Sequence, residues 1–315
     1  MPSFGGLFLG RKKLLTFKRM NIQRLGAIRT ELGESPVWYA GKLWLMDCRA
    51  GWIYALDPDS GEVKERYEVP APLGSFAFNG DGRSVVVALK DQIAMLDLNT
   101  GALHTLARGE DLHPHLRWND GISLDDGSFV VGTMHVPREP GEPLLGGLYR
   151  LGVDGQFDRI DTGFGITNGP CVSPVNGRLY VGDSADRVIY SYAINEHGVL
   201  SDKQVFLNTE CYQSGPDGCA FDLDGGLWVT LVRTGHIMRF DRDGKPTHDI
   251  QLPVTYPSAL CFGGPDMADL FVTSIADSGR LRASGPMDGA VLKLTGLGVS
   301  GKARPVCRLQ FRSSY

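Results

Sequence analysis

Six copies of one turn-and-strand unit, their even spacing, and turn residues placed between β-rich runs predict an all-β fold, a six-bladed β-propeller. The unit is a turn followed by an apolar or alternating strand, as in Gly41-Lys-Leu-Trp-Leu-Met-Asp47 and Gly177-Arg-Leu-Tyr-Val-Gly-Asp183. The copies begin at residues 41, 82, 127, 177, 226 and 269, which are 41, 45, 50, 49 and 43 residues apart. Propeller blades repeat every ~40 to 50 residues. Each copy is therefore interpreted as one blade.

Further strands follow in order within each unit. After the strand at Gly41, the sequence gives Gly51-Trp-Ile-Tyr-Ala-Leu-Asp57 and then Gly61-Glu-Val-Lys-Glu-Arg-Tyr-Glu-Val69, each bounded by turn residues. The same order returns over residues 186–194 and 235–241. No stretch places apolar residues at helical spacing between strong caps, so no long helix is predicted. The 41 glycines and 18 prolines are interpreted as the turns of a β protein.

We expect residues 21–315 to form a single propeller domain, because no Pro/Ser-rich or charged linker interrupts the repeats. Residues 1–20 are expected to be a disordered extension. Their basic residues at 11–13, 18 and 19 follow an apolar stretch, which reverses the order of a secretory signal. A targeting role and an upstream start, with Met20 as the native initiator, both remain open. No run of 18 apolar residues is present, which excludes a membrane-spanning helix.

The composition favours a small-molecule partner. The formal net charge is −4 and the pI is near 6.0, which argues against nucleic acid as a partner. Six cysteines occur without a Cys-x-x-Cys pair and are expected to be buried thiols, which indicates a reducing, cytoplasmic location. Cys211 and Cys219 are the pair to check for a disulfide. Because the edges of propeller blades are short and protected, a monomer or weak homodimer is expected, without membrane contact.

Oxygen-bearing side chains recur at one place in four of the units. They are Glu34, Asn119, Asn168 and Asp217, each just before the unit's apolar strand. The innermost strand of each blade lines the central channel of a propeller, so these residues are expected to converge. Two carboxylates and two amides are hard ligands suited to Ca²⁺, Mg²⁺ or Mn²⁺, with Zn²⁺ or Fe²⁺ remaining possible. The pattern predicts one divalent metal site.

A simpler interpretation exists for each of these segments. Asn-Gly and Asp-Gly are frequent turn sequences, whose side chains bond their own backbone. Glu34 is harder to explain in this way, because Glu is a poor turn residue. The other two units place Gly74 and Pro257 at this position. Since neither offers a side-chain donor, we expect them to leave part of the channel open to substrate and water.

Several ordered motifs together resemble the gluconolactonase and regucalcin family, which includes the luciferin-regenerating enzymes. The resemblance covers about residues 24 to 295. Its motifs are Leu32-Gly-Glu34-Ser-Pro-Val-Trp38, Arg117-Trp-Asn119-Asp-Gly121, Thr167-Asn168-Gly169, Val181-Gly-Asp183-Ser184 and Pro216-Asp217-Gly218. It implies a six-bladed propeller that binds one divalent cation and hydrolyses lactones of sugar acids.

The resemblance also implies a role for each site residue. Glu34, Asn168 and Asp217 match the family's metal ligands, and Asp217 also matches its proposed general base. Arg117 and Asn119 match positions that contact substrate. The repeat pattern alone groups Asn119 with the metal ligands, whereas the resemblance moves it to the substrate side.

The sequence departs from the family's pattern after Gly132-Thr-Met134. Regucalcin-like members carry acidic residues there, but this chain reads His135-Val-Pro-Arg-Glu-Pro-Gly141. We expect this segment to form a lid over the channel mouth, so the identity of the sugar acid does not transfer. His113-Pro-His115 is interpreted as a loop, and His135 and His236 as residues that line the mouth without binding metal.

The predicted function is a metal-dependent hydrolase that opens sugar-acid lactones, with a metal-activated water molecule and Asp217 as the general base. Two alternatives remain open. One is a metal-stabilised propeller with a binding or regulatory role. The other is a promiscuous aryl-ester or organophosphate hydrolase, since the same cation can polarise a phosphoryl oxygen.

Overall fold

The computed structural model describes residues 20–109 and 112–310, and these form six four-stranded antiparallel sheets. The predicted six-bladed β-propeller is confirmed. Each of the six repeated units supplies the second strand of a sheet, and the strand before it is the innermost one. The expectation of a disordered extension over residues 1–20 falls, apart from Met20, outside the described residues.

The blades follow one another in chain order, and the strands of each are given from the channel outward. They are β2 (Gly33–Tyr39), β3 (Lys42–Asp47), β4 (Trp52–Leu56) and β5 (Val63–Glu68); β6 (Ser75–Phe78), β7 (Ser84–Ala88), β8 (Gln92–Asp97) and β9 (Leu103–Arg108); β10 (Leu116–Ser123), β11 (Phe129–His135), β12 (Gly146–Leu151) and β13 (Phe157–Phe164); β14 (Thr167–Val172), β15 (Leu179–Asp183), β16 (Val188–Ile194) and β17 (Leu200–Asn208); β18 (Pro216–Phe221), β19 (Leu227–Leu231), β20 (His236–Phe240) and β21 (Pro246–Gln251); β22 (Pro257–Gly263), β23 (Asp269–Ser274), β24 (Leu292–Thr295) and β1 (Asn21–Arg24). Within the described ranges, the helical content is a 3-10 turn at Glu210–Tyr212.

The sixth blade is built from both ends of the described chain. Strand β1 pairs antiparallel with β24, so that Ile22 lies opposite Leu294. This pairing closes the ring of blades, because an early strand completes the sheet that the last repeat begins. The repeat pattern did not predict it, since the partners are separated by almost the whole sequence.

Buried apolar side chains fill the spaces between blades. Tyr39 of the first blade stacks on Phe78 of the second with ring centroids 3.7 Å apart, and Trp44 meets Phe78 edge-on at 4.9 Å. Burying one large apolar side chain contributes about 1.5–3 kcal/mol. Successive side chains of a strand point to opposite faces of its sheet, and each strand therefore contacts the blades on both sides.

The C-terminal segment crosses the channel end where the innermost strands finish. Gly301 bridges to Asp222 of the fifth blade, and the amide of Cys307 donates to the Phe78 carbonyl of the second blade at 2.8 Å. The amide of Arg308 reaches Gly127 of the third blade at 2.8 Å. This segment therefore links the second, third and fifth blades at the channel end opposite the one where the innermost strands begin.

All six cysteines are free thiols, as predicted, including the pair Cys211 and Cys219. Five are buried, whereas Cys211 is exposed in the 3-10 turn, so the expectation of burial is wrong for that residue. Among the described residues, no helix has the length and apolar character needed to cross a bilayer.

Candidate active site

The predicted site residues lie at β-bulges near the start of the innermost strands. The pairing with the second strand shifts by one residue just after Glu34 and just after Asn168. It shifts in the same way after Trp118 and after Pro216, directly before Asn119 and Asp217. The four side chains thus occupy two adjacent positions at a shared bulge, and not one strict register position. A bulge re-aims side chains, which lets neighbouring positions serve one site.

A chain of hydrogen bonds joins the predicted substrate residues to a predicted metal ligand. Arg117 Nη1 donates to Asn119 Oδ1 at 3.0 Å, and Asn119 Nδ2 donates to Asn168 Oδ1 at 2.7 Å. Asn168 Nδ2 in turn donates to Ser184 Oγ at 2.8 Å. An amide oxygen has two lone pairs, so Asn168 Oδ1 retains one for a metal. Asn119 therefore lies between Arg117 and the proposed ligands.

Three carboxylates share the interior of the channel. Burial, followed by the nearby charges of Asp217 and Asp120, raises the pKa of Glu34 well above its usual value. Burial and the Asp120 carboxylate raise the pKa of Asp217 in the same way. Burial penalises a charged group, and like charges within a few ångströms repel. The interior of the channel therefore has too little positive charge to neutralise these three carboxylates.

Asp120 is a site residue that the sequence analysis did not select. Its carboxylate accepts bonds from the amides of Gly121 at 2.9 Å and Gly169 at 3.0 Å, which fixes it between the third and fourth blades. Burial raises its pKa, while Arg304 of the C-terminal segment opposes that effect. The signal was present, because Asp120 precedes Gly121 as Asn168 and Asp217 precede their glycines. It was overlooked because the motif also reads as a turn.

Glu34, Asn168 and Asp217 form a donor set that suits a hard divalent cation. Asn168 and Asp217 are only 8% and 7% exposed. Buried carboxylates normally need a pairing charge, and the raised pKa values of Glu34 and Asp217 show that the protein's own cations do not fully supply it. Oxygen ligands of this kind match Ca²⁺, Mg²⁺ and Mn²⁺. The residues present therefore fit the metal that the resemblance implies.

Changing Glu34 to glutamine is expected to stabilise the metal-free protein at pH 7. A carboxyl whose pKa is higher in the folded state contributes most stability below its unfolded pKa of about 4.5 and loses it as pH rises. Metal-free wild type should therefore become less stable between pH 5 and 7. Removing the charge should raise Tm at pH 7 by roughly 2–4 °C, or about 1 kcal/mol.

Thermal unfolding with a chelator at pH 5 and pH 7 measures this effect. Glu68→Gln, on an exposed outer strand, is the matched control and should leave Tm unchanged. Added Ca²⁺ should stabilise the wild type more than Glu34→Gln, because only a folded state that binds the ion gains stability. A Glu34→Gln protein less stable than wild type in chelator would contradict the account of buried, repelling carboxylates.

Histidines at the same channel end form a second group that the sequence analysis did not anticipate. His113, His115, His135 and Glu142 place one potential ligand atom each within 4.8 Å of one another. This cluster could hold a metal ion, so the interpretation of His113-Pro-His115 as a loop without ligands is incomplete. His236, in contrast, lies apart on the fifth blade and pairs with Asp249.

A cavity of about 530 Å³ lies toward the channel end where the innermost strands finish, separate from this site. Its lining includes Ile122, Cys171 and Phe221, which follow the site residues on the innermost strands, and Arg304 of the C-terminal segment. It does not include Glu34 or Asp217. We place the candidate site at the opposite end, because the oxygen donors and Arg117 meet there.

Comparison with known proteins shows close relatives over most of the chain. A 6-deoxy-6-sulfogluconolactonase of Pseudomonas putida is 32% identical over 280 residues, covering 87% of this chain and 94% of the relative. A regucalcin of Xenopus laevis is 32% identical over 288 residues, covering 87% of this chain and 93% of the relative.

Solved structures agree with the sequence relatives. The crystal structure of a calcium-binding protein, regucalcin from Agrobacterium tumefaciens strain C58, superposes with a TM-score of 0.80 at 25% identity. The match covers 90% of this chain and 95% of that one. The family model described as the SMP-30/gluconolactonase/LRE-like region matches residues 32–276. The chain therefore belongs to the SMP-30/gluconolactonase/LRE-like family.

Proposed function

We propose that this protein is a metal-dependent hydrolase that opens sugar-acid lactones to the free acid. A relative that is 32% identical is named 6-deoxy-6-sulfogluconolactonase. The observation that carries the proposal is the hydrogen-bonded chain from Arg117 through Asn119 to Asn168. A cation with a purely structural role needs ligands, but it does not need an arginine and an amide tied to those ligands at the open end of the channel.

Glu34, Asn168 and Asp217 are the proposed metal ligands. A divalent cation bound there would polarise a lactone carbonyl and lower the pKa of water. Asp217 is the proposed general base, which accepts a proton from the attacking water. A carboxylate bound to a metal is a weak base, because the cation favours its ionised form. Asp217 therefore need only assist a water molecule that the same ion has already made more acidic.

Arg117 and Asn119 are the proposed substrate-binding residues. Arg117 is partly buried, and its Nη1 already donates to the Trp118 carbonyl at 2.9 Å and to Asn119. These bonds hold the guanidinium in one orientation and leave its other N–H groups for the hydroxyls or carbonyl of a sugar lactone. Because Asn119 is hydrogen-bonded to both Arg117 and Asn168, the substrate-binding residues and a proposed metal ligand are held in a fixed arrangement.

The ion and the cellular setting belong to the same proposal. The oxygen donors favour Ca²⁺, Mg²⁺ or Mn²⁺, with Zn²⁺ and Fe²⁺ as further possibilities. The structural relative from Agrobacterium is described as calcium-binding.

Free thiols at all six cysteines support a reducing, cytoplasmic compartment. We further propose that residues 21–315 act as a single domain, in a monomer or weak homodimer.

A lactone panel tests the proposed function. The purified protein, supplied separately with Ca²⁺, Mn²⁺ and Zn²⁺, should release acid from at least one of gluconolactone, galactonolactone, xylonolactone and arabinonolactone faster than buffer. Stopped assays with a pH indicator measure the acid released. Failure with every lactone and ion would overturn the lactonase proposal and favour a metal-stabilised binding or regulatory propeller. If aryl esters, assayed in parallel, are hydrolysed and none of the lactones is, the promiscuous hydrolase is favoured.

A further inference from the structure

Three histidines and a glutamate meet at the rim of the channel, on the third blade. His113 and His115 lie in the loop before β10, and His135 is the last residue of β11. Glu142 lies in the loop that joins β11 to β12, which we call the rim loop (residues 136–145). Their potential ligand atoms all lie within 4.8 Å of one another.

The most buried member of the cluster lacks the partners that such a group normally has. The His135 side chain is 0% exposed, yet neither of its ring nitrogens forms a hydrogen bond within the described part of the chain. Among the described residues, Nδ1 of His115 is likewise buried without a hydrogen-bond partner. Leaving a buried polar atom unsatisfied costs about 1–3 kcal/mol, so these nitrogens indicate a missing ligand.

The nitrogens and the carboxylate face one another at distances suited to a small ion. His135 Nε2 lies 3.3 Å from Glu142 Oε2, without the alignment of a hydrogen bond, and His115 Nδ1 lies 3.8 Å from Oε1. A tetrahedral ion with bonds near 2.0–2.1 Å holds its ligand atoms roughly 3.3 Å apart. His115 and His135 therefore need only small shifts toward Glu142 to enclose one.

Neighbouring backbone groups orient the cluster. The amide of Glu139 donates to Glu142 Oε2 at 2.9 Å, and this bond, with the nearby imidazole of His135, holds the pKa of the Glu142 carboxyl below its usual value. The bond to the Glu142 carboxylate is of the kind that orients ligands in metal sites. The amide of His115 donates to Nδ1 of His113 at 3.2 Å, so His113 would give up this bond to ligate an ion through Nδ1.

We propose that His115, His135 and Glu142, with His113 as a fourth ligand, form a second metal site that binds Zn²⁺ or a similar transition-metal ion. Imidazole nitrogens suit Zn²⁺, whereas Ca²⁺ and Mg²⁺ prefer oxygen. The site differs in chemistry from the oxygen donors on the channel axis. It fastens the rim loop to the blade that carries Arg117, two residues after His115.

Zinc titration of the full-length protein tests the site. The metal-stripped chain is saturated with Ca²⁺, to occupy the oxygen donors, and is then titrated with Zn²⁺ by calorimetry and with Co²⁺ by visible absorption. Wild type should bind Zn²⁺ and give the absorption bands of nitrogen-ligated Co²⁺. His115→Ala and Glu142→Gln should each weaken Zn²⁺ binding at least ~10-fold. Both side chains are partly exposed, so these variants are expected to fold.

Matched controls separate the cluster from general zinc binding. His197→Ala removes an exposed histidine on the fourth blade, and Glu139→Gln changes a neighbouring rim-loop carboxylate while keeping its amide. Both should bind Zn²⁺ as wild type does. The proposal is overturned if wild type binds no Zn²⁺ in excess Ca²⁺, or if His115→Ala and Glu142→Gln bind it unchanged.

Limited proteolysis tests the effect on the rim loop. Arg138 is exposed in this loop and gives trypsin a cleavage point. Zn²⁺ should slow cleavage after Arg138 at least several-fold in wild type and in His197→Ala, but not in His115→Ala. Equal cleavage rates with and without Zn²⁺ in wild type would contradict the fastening role. Neither readout uses lactone turnover, so the lactonase proposal and the zinc site can fail separately.

Discussion

Replacing Asp217 with alanine is expected to reduce lactone hydrolysis by at least roughly 1,000-fold. The change removes a proposed metal ligand and the proposed general base together, and general base catalysis alone contributes about 10²–10⁴-fold. Asp217→Asn keeps an oxygen ligand but cannot accept the proton, so it should bind the ion weakly and remain inactive. Initial rates of acid release from the best lactone of the panel measure both variants.

Two comparisons make the result specific to Asp217. Asp224→Ala removes an exposed carboxylate from the same hairpin and should retain wild-type turnover. Arg117→Ala should mainly raise KM, because it removes a donor that orients the substrate and leaves the proposed ligands in place. Full activity in Asp217→Ala would exclude this residue from both of its proposed roles.

Replacing Gly74 with alanine is expected to destabilise the fold by about 3 kcal/mol. A Cβ atom at this position would lie 2.4 Å from the carbonyl oxygen of Trp118 and 3.0 Å from that of Asn119. Both atoms belong to the backbone of the neighbouring blade, so the clash cannot be relieved by rotating a side chain. Because Gly74 presses on the segment that carries Asn119, the variant should also lose lactonase activity.

Gly80→Ala is the matched control for this prediction. A Cβ atom there would make its closest contact, 3.4 Å, with the Cys307 carbonyl oxygen, which is ordinary packing. Urea unfolding of both variants compares the free energies of unfolding. Equal stability of Gly74→Ala and Gly80→Ala would show that the second and third blades can separate slightly without cost.

The structure adds a packing reason for Gly74 that the sequence did not indicate. The absence of a side-chain donor at Gly74 suggested an open wall of the channel. The structure gives a different reason for the glycine, which is the close approach of the third blade. A missing side chain looks the same in a sequence whether it makes room for a ligand or for a neighbouring backbone, and only the position of Trp118 distinguishes the two.

Much of the fold was predictable because it is encoded locally. Each blade repeats the same order of turns and strands, as the match between Gly41–Asp47 and β3 illustrates. Closure of the ring was not predictable, because Ile22 of β1 pairs with Leu294, which is 272 residues further along the chain (294 − 22). The four residues of β1 carry no sequence signal that identifies the partner strand.

The candidate site was also only partly predictable from the sequence. Glu34, Asn119, Asn168 and Asp217 were selected because the repeat places them near one end of the channel, and the resemblance reduced the proposed ligands to Glu34, Asn168 and Asp217. Asp120 was missed because its Asp-Gly motif also reads as a turn, and its proximity to Glu34 and Asp217 is visible only in the structure.

The sequence by itself determined the number of blades and the strands within them, and it predicted the oxygen donors of the candidate site, because these depend on short-range pattern and on one repeat. The tertiary structure decided which residues meet across blades and loops. It joined Arg117 to Asn168 through Asn119, and it brought His135 to Glu142 on the rim loop. Such pairs depend on bulges and on the paths of loops, which can move a side chain by a few ångströms. A shift of that size decides whether the side chain can bind a metal or only caps a turn.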